Sequence, residues 1–410
     1  MRQLARFLAR RRSWPSLVCL ALLACAAEPE RPEPPAPEPL PRFELRPVSF
    51  EQLAGWRADD PREALDAFRR SCAKLAQRDA ATPMGPDPLF GQVGDWQFVC
   101  AEAAALAGAG PSADQARAFI EAHFSPHLVV DGASPEGLFT GYYEPLLNGS
   151  RQFGGHYTVP LYRPPNDLLR IDLGRFNPEL AGYAIYGRIT GREFVPYHSR
   201  GDIDSGALAG RGLELLWVDD PIDKFFLQVQ GSGQVRLDDG SLIRVGYAGQ
   251  NGHPYRAIGR DLIEIGVLTR EEVTLPAIRA WLEAHPDGAS QIMARNRSYI
   301  FFEERPELAP DDGPLGAQGV PLTAERSLAV DPRYIPFGVP VWLDTTVPWP
   351  EGEGPLRRLM VAQDAGGAIK GVVRGDVFWG AGERAEAIAG HMKSRGHYAI
   401  LLPRSVIPVS

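Results

Sequence analysis

The chain has 410 residues, with 43 Lys or Arg against 51 Asp or Glu and a formal net charge of −8 at pH 7. That acidic balance argues against nucleic acid or an anionic membrane face as a partner. The length allows two domains.

The N-terminus has the form of a targeting segment. Arg2, Arg6 and Arg10 to Arg12 precede the apolar run LVCLALLA at 17–24, which is too short to span a bilayer and suits a signal-peptide core. It ends in Leu22-Leu23-Ala24-Cys25, similar to a bacterial lipobox, so Cys25 is expected to be lipidated and to become the first mature residue. The alternative is an ordinary cleaved secretory signal. Loss of residues 1–24 removes five arginines and no acid, taking the charge from −8 to −13. The segment 25–42 contains seven prolines and four glutamates between Ala26 and Pro41, a semi-rigid solvated spacer. At about 3.1 Å per residue it reaches roughly 50 Å. The expectation is a lipid-tethered extracytoplasmic protein, and Ala26 after Cys25 fits the outer membrane with the body facing the periplasm.

Residues 61–77 open on a proline and carry apolar residues at helical spacing. Cys72 in this stretch and Cys100 are the remaining mature cysteines, and in an oxidising compartment they can pair; two buried thiols are the alternative. Residues 113–123 read as a second helix, with Ser112 and Gln115 as a capping box. From Leu138 to about Val245, short apolar and aromatic runs cut by Gly, Pro and Asp predict a β-rich region. Helices are expected at 256–267 and at 271–285, the second with Thr269 and Glu272 as a capping box. Beyond Ser298 the runs SYIFF, VPVWL, RLMVA, AIKGVV and DVFWG predict strands, 383–395 a helix closed by Gly396, and HYAILLP a last strand.

Several chemistries lack their residues. No His pair has metal-ligand spacing with a Cys or acidic partner, and there is no GxSxG elbow or P-loop, so no metal or cofactor is expected. Carboxylates remain. Four segments, FTGYYEP (139–145), FFLQVQGSG (225–233), YAGQNGHPYRAIG (247–259) and AQDAGGAIKGVVRGDVFWGAG (362–382), combine aromatics, amides, hydroxyls and glycines. Rings stack on sugar faces and amides bond sugar hydroxyls, so together these suit a carbohydrate groove. Each alone is equally a tight turn or bulge. Within the last segment lie Asp364 and Asp376, the latter followed by the apolar Val377-Phe378-Trp379. Glycoside cleavage needs an acid whose pKa is raised, which apolar surroundings achieve, and ordinary glycosidases add a second carboxylate. From the pattern alone the two aspartates equally fit turn-stabilising roles beside glycine.

The run from Phe139 through Pro403 resembles the lytic murein transglycosylase A family. The carriers are FTGYYEP, LQVQGSG, YAGQNGHPYRAIG, SYIFF and AQDAGGAIKG with GDVFWG, all in that family's order. The C-terminal part also resembles the 3D domain, whose three aspartates match Asp331, Asp364 and Asp376. The resemblance implies a mainly β protein with some α: a double-psi β-barrel built from 43–145 and 296–410, with its 3D region at about 316–405. An inserted second, smaller β domain at 146–295 would form a substrate groove with it. It further implies exolytic, non-hydrolytic cleavage of peptidoglycan glycan strands to 1,6-anhydromuramyl ends. Asp376 would serve as acid then base, Asp364 would support it, and Thr140, Tyr143, Gln230 and Ser232 would contact substrate. Ala365 and the twelve-residue spacing of the two aspartates depart from the family pattern. Cell-wall synthesis proteins are possible partners in such a role. The competing expectations are a non-catalytic peptidoglycan-binding lipoprotein, a hydrolytic muramidase, and an aspartic protease suggested by Asp364-Ala365-Gly366 but lacking the hydroxyl residue and a second triplet.

Overall fold

The computed structural model describes residues 42–180, 183–309 and 312–406, within one compact unit. Cys25, residues 1–24 and nearly all of the 25–42 spacer lie outside the described residues. The strands, in chain order, are β1 (Phe43–Pro47), β2 (Phe124–Asp131), β3 (Gly137–Glu144), β4 (Leu146–Ser150), β5 (Val159–Tyr162), β6 (Leu169–Asp172), β7 (Ala184–Thr190), β8 (Glu193–Pro196) and β9 (Glu214–Val218). They continue with β10 (Ser232–Leu237), β11 (Leu242–Gln250), β12 (Ile300–Glu304), β13 (Ser327–Ala329), β14 (Pro340–Trp349), β15 (Gly352–Asp364), β16 (Arg374–Ala381) and β17 (Lys393–Pro403).

Six of these close into a barrel in the order β17-β14-β15-β13-β16-β3, with β3 returning to pair antiparallel with β17. The β13–β15 and β16–β3 pairs are parallel and the others antiparallel. β2 continues the sheet from the far half of β17, and β1 follows it. A six-stranded sheet, β12-β11-β10-β4-β9-β5, and a three-stranded one, β6-β7-β8, complete the molecule, so the strand Ile300–Glu304 pairs with β11 rather than joining the barrel. The architecture is mixed α/β.

Alternation explains the barrel core. Phe139, Leu328, Val341, Leu343, Met360, Val377, Ile400 and Leu402 point to one face and are buried, in one core with residues of the helices Arg62–Leu75, Val93–Gly108 and Ala113–His123. Cys72 and Cys100 bridge the first two of those helices, with Sγ atoms 2.09 Å and Cα atoms 5.4 Å apart. By the chain-entropy argument such a link is worth about 3 kcal/mol. The Ser112–Gln115 capping box forms, each side chain bonding the other's backbone amide.

Three local expectations are corrected. The run FFLQVQ, read within a β-rich stretch, lies in the helix Pro221–Gln230: Asp220 caps it by accepting from the Ile222 amide, Pro221 fills the first turn, and Gly231 at φ +85° ends it. AIKGVV is a loop between β15 and β16, drawn to Asp331 by the Gly371 amide at 2.9 Å. The C-terminal helix stops at His391, and Gly396 lies inside β17, where a β-carbon would come within 2.5 Å of the Asp344 carbonyl oxygen. That glycine answers a close approach of strands, not a helix end. The helices predicted at 256–267 and 271–285 are shorter, Gly259–Glu264 and Leu275–Ala284. Thr269 and Glu272 do bond reciprocally, but ahead of the second helix, which Thr274 caps.

Candidate active site

The two aspartates meet through register. Ala329 on β13 is opposite Asp376 on β16 and also opposite Asp364 on β15, while Asp376 is opposite Thr140 on β3. Directly opposed residues share a face, and an extra residue in β15, Gln363, breaks the alternation so that Asp364 joins it, where it accepts from Tyr142. Asp364, Ala329, Asp376 and Thr140 thus form a row across four strands, on the face away from the main core. Two strand spacings, roughly 10 Å, separate the aspartate Cα atoms. Tyr142 and Phe378, two residues on from Thr140 and Asp376, lie on the same face. With Ala329, Leu322 and Ile369 they form a buried apolar floor. Of the wall expected from Val377-Phe378-Trp379, only Phe378 serves it; Val377 and Trp379 turn to the barrel core.

The two carboxylates are held differently. Asp376 Oδ1 accepts from Thr140 Oγ1 at 2.5 Å, and the Thr140 oxygen in turn accepts from Arg374 Nη2 at 2.9 Å. Burial pushes the Asp376 carboxyl up to about 6; Arg374 and Thr140 pull against that rise, and the charge of Asp364 adds to it. Asp364 is satisfied on both oxygens: Oδ1 accepts from the amides of Ala317 and Ala365 at 2.8 Å each, and Oδ2 from the Tyr142 hydroxyl at 2.7 Å. Its pKa is also raised by burial, against the pull of those three donors. Burial and the neighbouring Asp364 charge push the Tyr142 hydroxyl well above its usual range, so Tyr142 stays a donor. Chemically, this is one carboxyl that exchanges its proton near pH 6, with an oxygen that no described residue bonds, beside a second carboxyl that already accepts from three donors.

The family model for the MltA specific insert domain matches residues 138–303, and that for the 3D domain matches 326–402. Membrane-bound lytic murein transglycosylase A of Vibrio cholerae is 30% identical over 393 residues, 93% of this chain and 92% of its own. The chain belongs to the lytic murein transglycosylase A family. A crystal structure of a membrane-bound lytic murein transglycosylase from Agrobacterium tumefaciens superposes with a TM-score of 0.76 at 35% identity, covering 88% of this chain and 98% of that one. The family member from Escherichia coli with bound chitohexaose superposes at 0.59 with 26% identity, covering 88% and 91%.

Of the residues singled out by sequence, this transglycosylase-family chain brings together Asp364, Asp376 and Thr140. Tyr143 turns to the opposite face of β3, where its hydroxyl donates to Glu386 at 2.9 Å and it lines a cavity of about 230 Å³ with Asp223 and Arg279. Gln230 ends the helix Pro221–Gln230 and accepts from the Tyr143 amide at 3.1 Å, tying the second-sheet region to β3. Ser232 opens β10 opposite Gly246 and is largely buried. Asp331, third of the 3D aspartates, is absent from the row: it is buried against Arg333 at 2.6 Å.

Sequence reasoning missed Tyr142, Arg374 and Tyr255. The first two sit two residues from Thr140 and Asp376 on their strands, a period-2 signal that names the shared face. Tyr255 comes from YAGQNGHPYRAIG and stands against the 365–373 loop, its β-carbon 3.6 Å from where a Gly367 side chain would begin. Burial and the charge of Asp376 both raise its pKa. No helix among the described residues is long and apolar enough to cross a membrane.

Proposed function

We propose that the protein cleaves the β-1,4 bond between N-acetylmuramic acid and N-acetylglucosamine in peptidoglycan without water, leaving 1,6-anhydromuramyl termini. The observation that carries the reading is Asp376: a single carboxyl with pKa about 6, one oxygen held by Thr140, on an apolar floor. Such a group gives its proton to the leaving O4 as the C1–O4 bond breaks. The muramyl C6 oxygen then bonds C1, and its proton returns to Asp376, so no water is consumed and the acid is restored. Attack from within the same sugar gains effective concentration and removes the need for an enzymatic nucleophile. Asp364, its oxygens occupied by three donors, is suited to stabilising positive charge at C1 rather than to attacking it.

In this reading the glycan strand lies in a groove between a double-psi barrel (43–145 and 296–410) and an inserted domain (146–295). Support comes from the two parallel pairs within the closed six-strand ring, from Tyr255 reaching towards Asp376 out of the inserted region, and from the chitohexaose bound by the Escherichia coli relative. Thr140, Tyr143, Gln230 and Ser232 are the contacts the family pattern suggests. Of these, Thr140 has the strongest geometric support, since it touches the acid. A lipid on Cys25 would hold the body at the outer membrane, facing the periplasm, in keeping with relatives named membrane-bound.

The test is mass spectrometry of muropeptides released from purified sacculi by the full-length protein, beside Asp376→Ala. Products about 18 Da lighter than their hydrated counterparts, absent with the variant, are expected. Hydrated ends would make the protein a hydrolase. No release by the wild type would leave a binding protein.

A further inference from the structure

Arg374 is an unusual cation in this site. It is two residues before Asp376 on the same strand, yet its hydrogen bonds go to two carbonyls and a hydroxyl instead of a carboxylate. Nη1 donates to the Leu138 carbonyl at 3.1 Å and to that of Gly375, and Nη2 donates to Thr140 Oγ1 at 2.9 Å. Register explains the reach, because Arg374 is opposite Leu138 and Asp376 opposite Thr140 in the parallel β16–β3 pair. Burial lowers the guanidinium pKa and the Asp376 charge opposes that, but a guanidinium remains charged in proteins.

The proton count follows from the donor inventory. A guanidinium only donates, and a threonine hydroxyl has one hydrogen and two lone pairs. Arg374 fills one lone pair of Thr140 Oγ1, and Asp376 Oδ1 at 2.5 Å is the acceptor that the hydroxyl hydrogen finds among the described residues, so the hydrogen goes there rather than unpaired. Oδ1 is therefore an acceptor whether or not Asp376 is protonated. The exchangeable proton is confined to Oδ2.

We propose that Arg374 is a positioning residue that acts through Thr140, fixing the threonine hydroxyl as a donor so that Asp376 carries its working proton on Oδ2 alone. This rests on the transglycosylase reading above. In that reaction Oδ2 gives its proton to the leaving O4 as C1–O4 breaks and takes one from the C6 hydroxyl as C1–O6 forms. Without the clamp, the threonine hydroxyl can rotate to accept from a protonated Oδ1. The acid then holds its proton on the oxygen turned away from the sugar.

The experiment compares full-length wild type, Arg374→Met, Arg374→Lys, Thr140→Val and the double variant Arg374→Met/Thr140→Val, by anhydro-muropeptide release from sacculi across pH 4.5–8. Arg374→Met should lower kcat about 10-fold to 100-fold, part of the 10²–10⁴-fold typical of an acid–base group. It should also move the fall in activity, which follows deprotonation of Asp376, to higher pH, because the nearby positive charge is gone. Arg374→Lys should keep the wild-type pH limb yet still lose rate, having charge without the fork. In the Thr140→Val background, Arg374→Met should cost far less than it does alone, since there is no hydroxyl left to orient. Additive losses, or a lower Tm with an unmoved pH limb, would reduce Arg374 to scaffolding and overturn the proposal. Wild-type kcat and pH limb in Arg374→Met would overturn it with the transglycosylase reading intact. Anhydro products missing from the wild type itself would overturn that reading, and this proposal with it. Should Arg374→Met not fold, Arg374→Lys and Thr140→Val carry the same comparison.

Discussion

Two aspartates of the 3D region each have an arginine two residues away, and they end in opposite states. In the turn at 331–335, Arg333 folds back on Asp331 through Nε and Nη2, the Gly371 amide adds a donor, and these outweigh burial to hold the carboxyl below the usual range. At the start of β16, Arg374 spends its donors on backbone and on Thr140, and burial carries Asp376 up to about 6. The lesson is that an arginine near a carboxyl makes it structural when the two pair directly. An arginine held one hydroxyl away leaves the carboxyl free to exchange a proton.

The largest break in that comparison comes from Asp376→Asn. Release of muropeptides should fall by about 10²–10⁴-fold or more, measured as turnover on sacculi. The same variant should be more stable than wild type at neutral pH. Between about 3.8, where an ordinary aspartate ionises, and about 6, the folded state keeps a proton that the unfolded state has released, so wild-type stability declines as pH rises through that window. The uncharged amide of the variant has no such decline. Its gain should be absent at pH 4 and reach about 1–3 kcal/mol above pH 7, read by denaturant titration.

Asp331→Ala should act in the other sense. Its folded pKa is lowered, so its contribution is present above the ordinary aspartate range and lost as pH falls through it. Removing the side chain strands the Gly371 and Arg333 amides, for a loss of about 1–3 kcal/mol at pH 7 that shrinks at low pH as the part due to the charged carboxylate is lost. The pH dependence of turnover should keep its wild-type shape, since the working proton is elsewhere. A moved profile would join Asp331 to the acid–base chemistry and dissolve the contrast.

Tyr142→Phe should have the smallest effect. Asp364 keeps two amide donors and loses one hydroxyl, costing about 0.5–1.5 kcal/mol in stability. Its pKa should rise further, visible as a carboxyl signal titrating at higher pH by NMR.

Much of this is legible in the sequence. The aspartate pair, Thr140 and the disulfide partners stand in short motifs whose chemistry speaks locally. What escapes a reading of the sequence is the consequence of strand pairing. Gly396 looks like a helix stop, and only the neighbouring Asp344 carbonyl reveals that it serves a strand contact. Tyr143 has the chemistry of a sugar platform, but alternation along β3 turns it from the face that Thr140 shares with Asp376. FFLQVQ reads as strand by its apolar density, although Asp220, Pro221 and Gly231 bracket it as a helix. Arg374 looks like one more charge at a strand end, since its role depends on a threonine 234 residues away.

Ala329 has a practical consequence. A single methyl is all that stands between two carboxylates on neighbouring strands, opposite both of them. A longer side chain there has to displace the buried floor of Tyr142, Leu322, Ile369 and Phe378 or press on the acids themselves. A protein altered there would keep both acids in its sequence and its outer surfaces, while losing the packing that holds the acids in place. In a living cell such a variant would separate any role that needs the acid pair from any role that needs only the folded body.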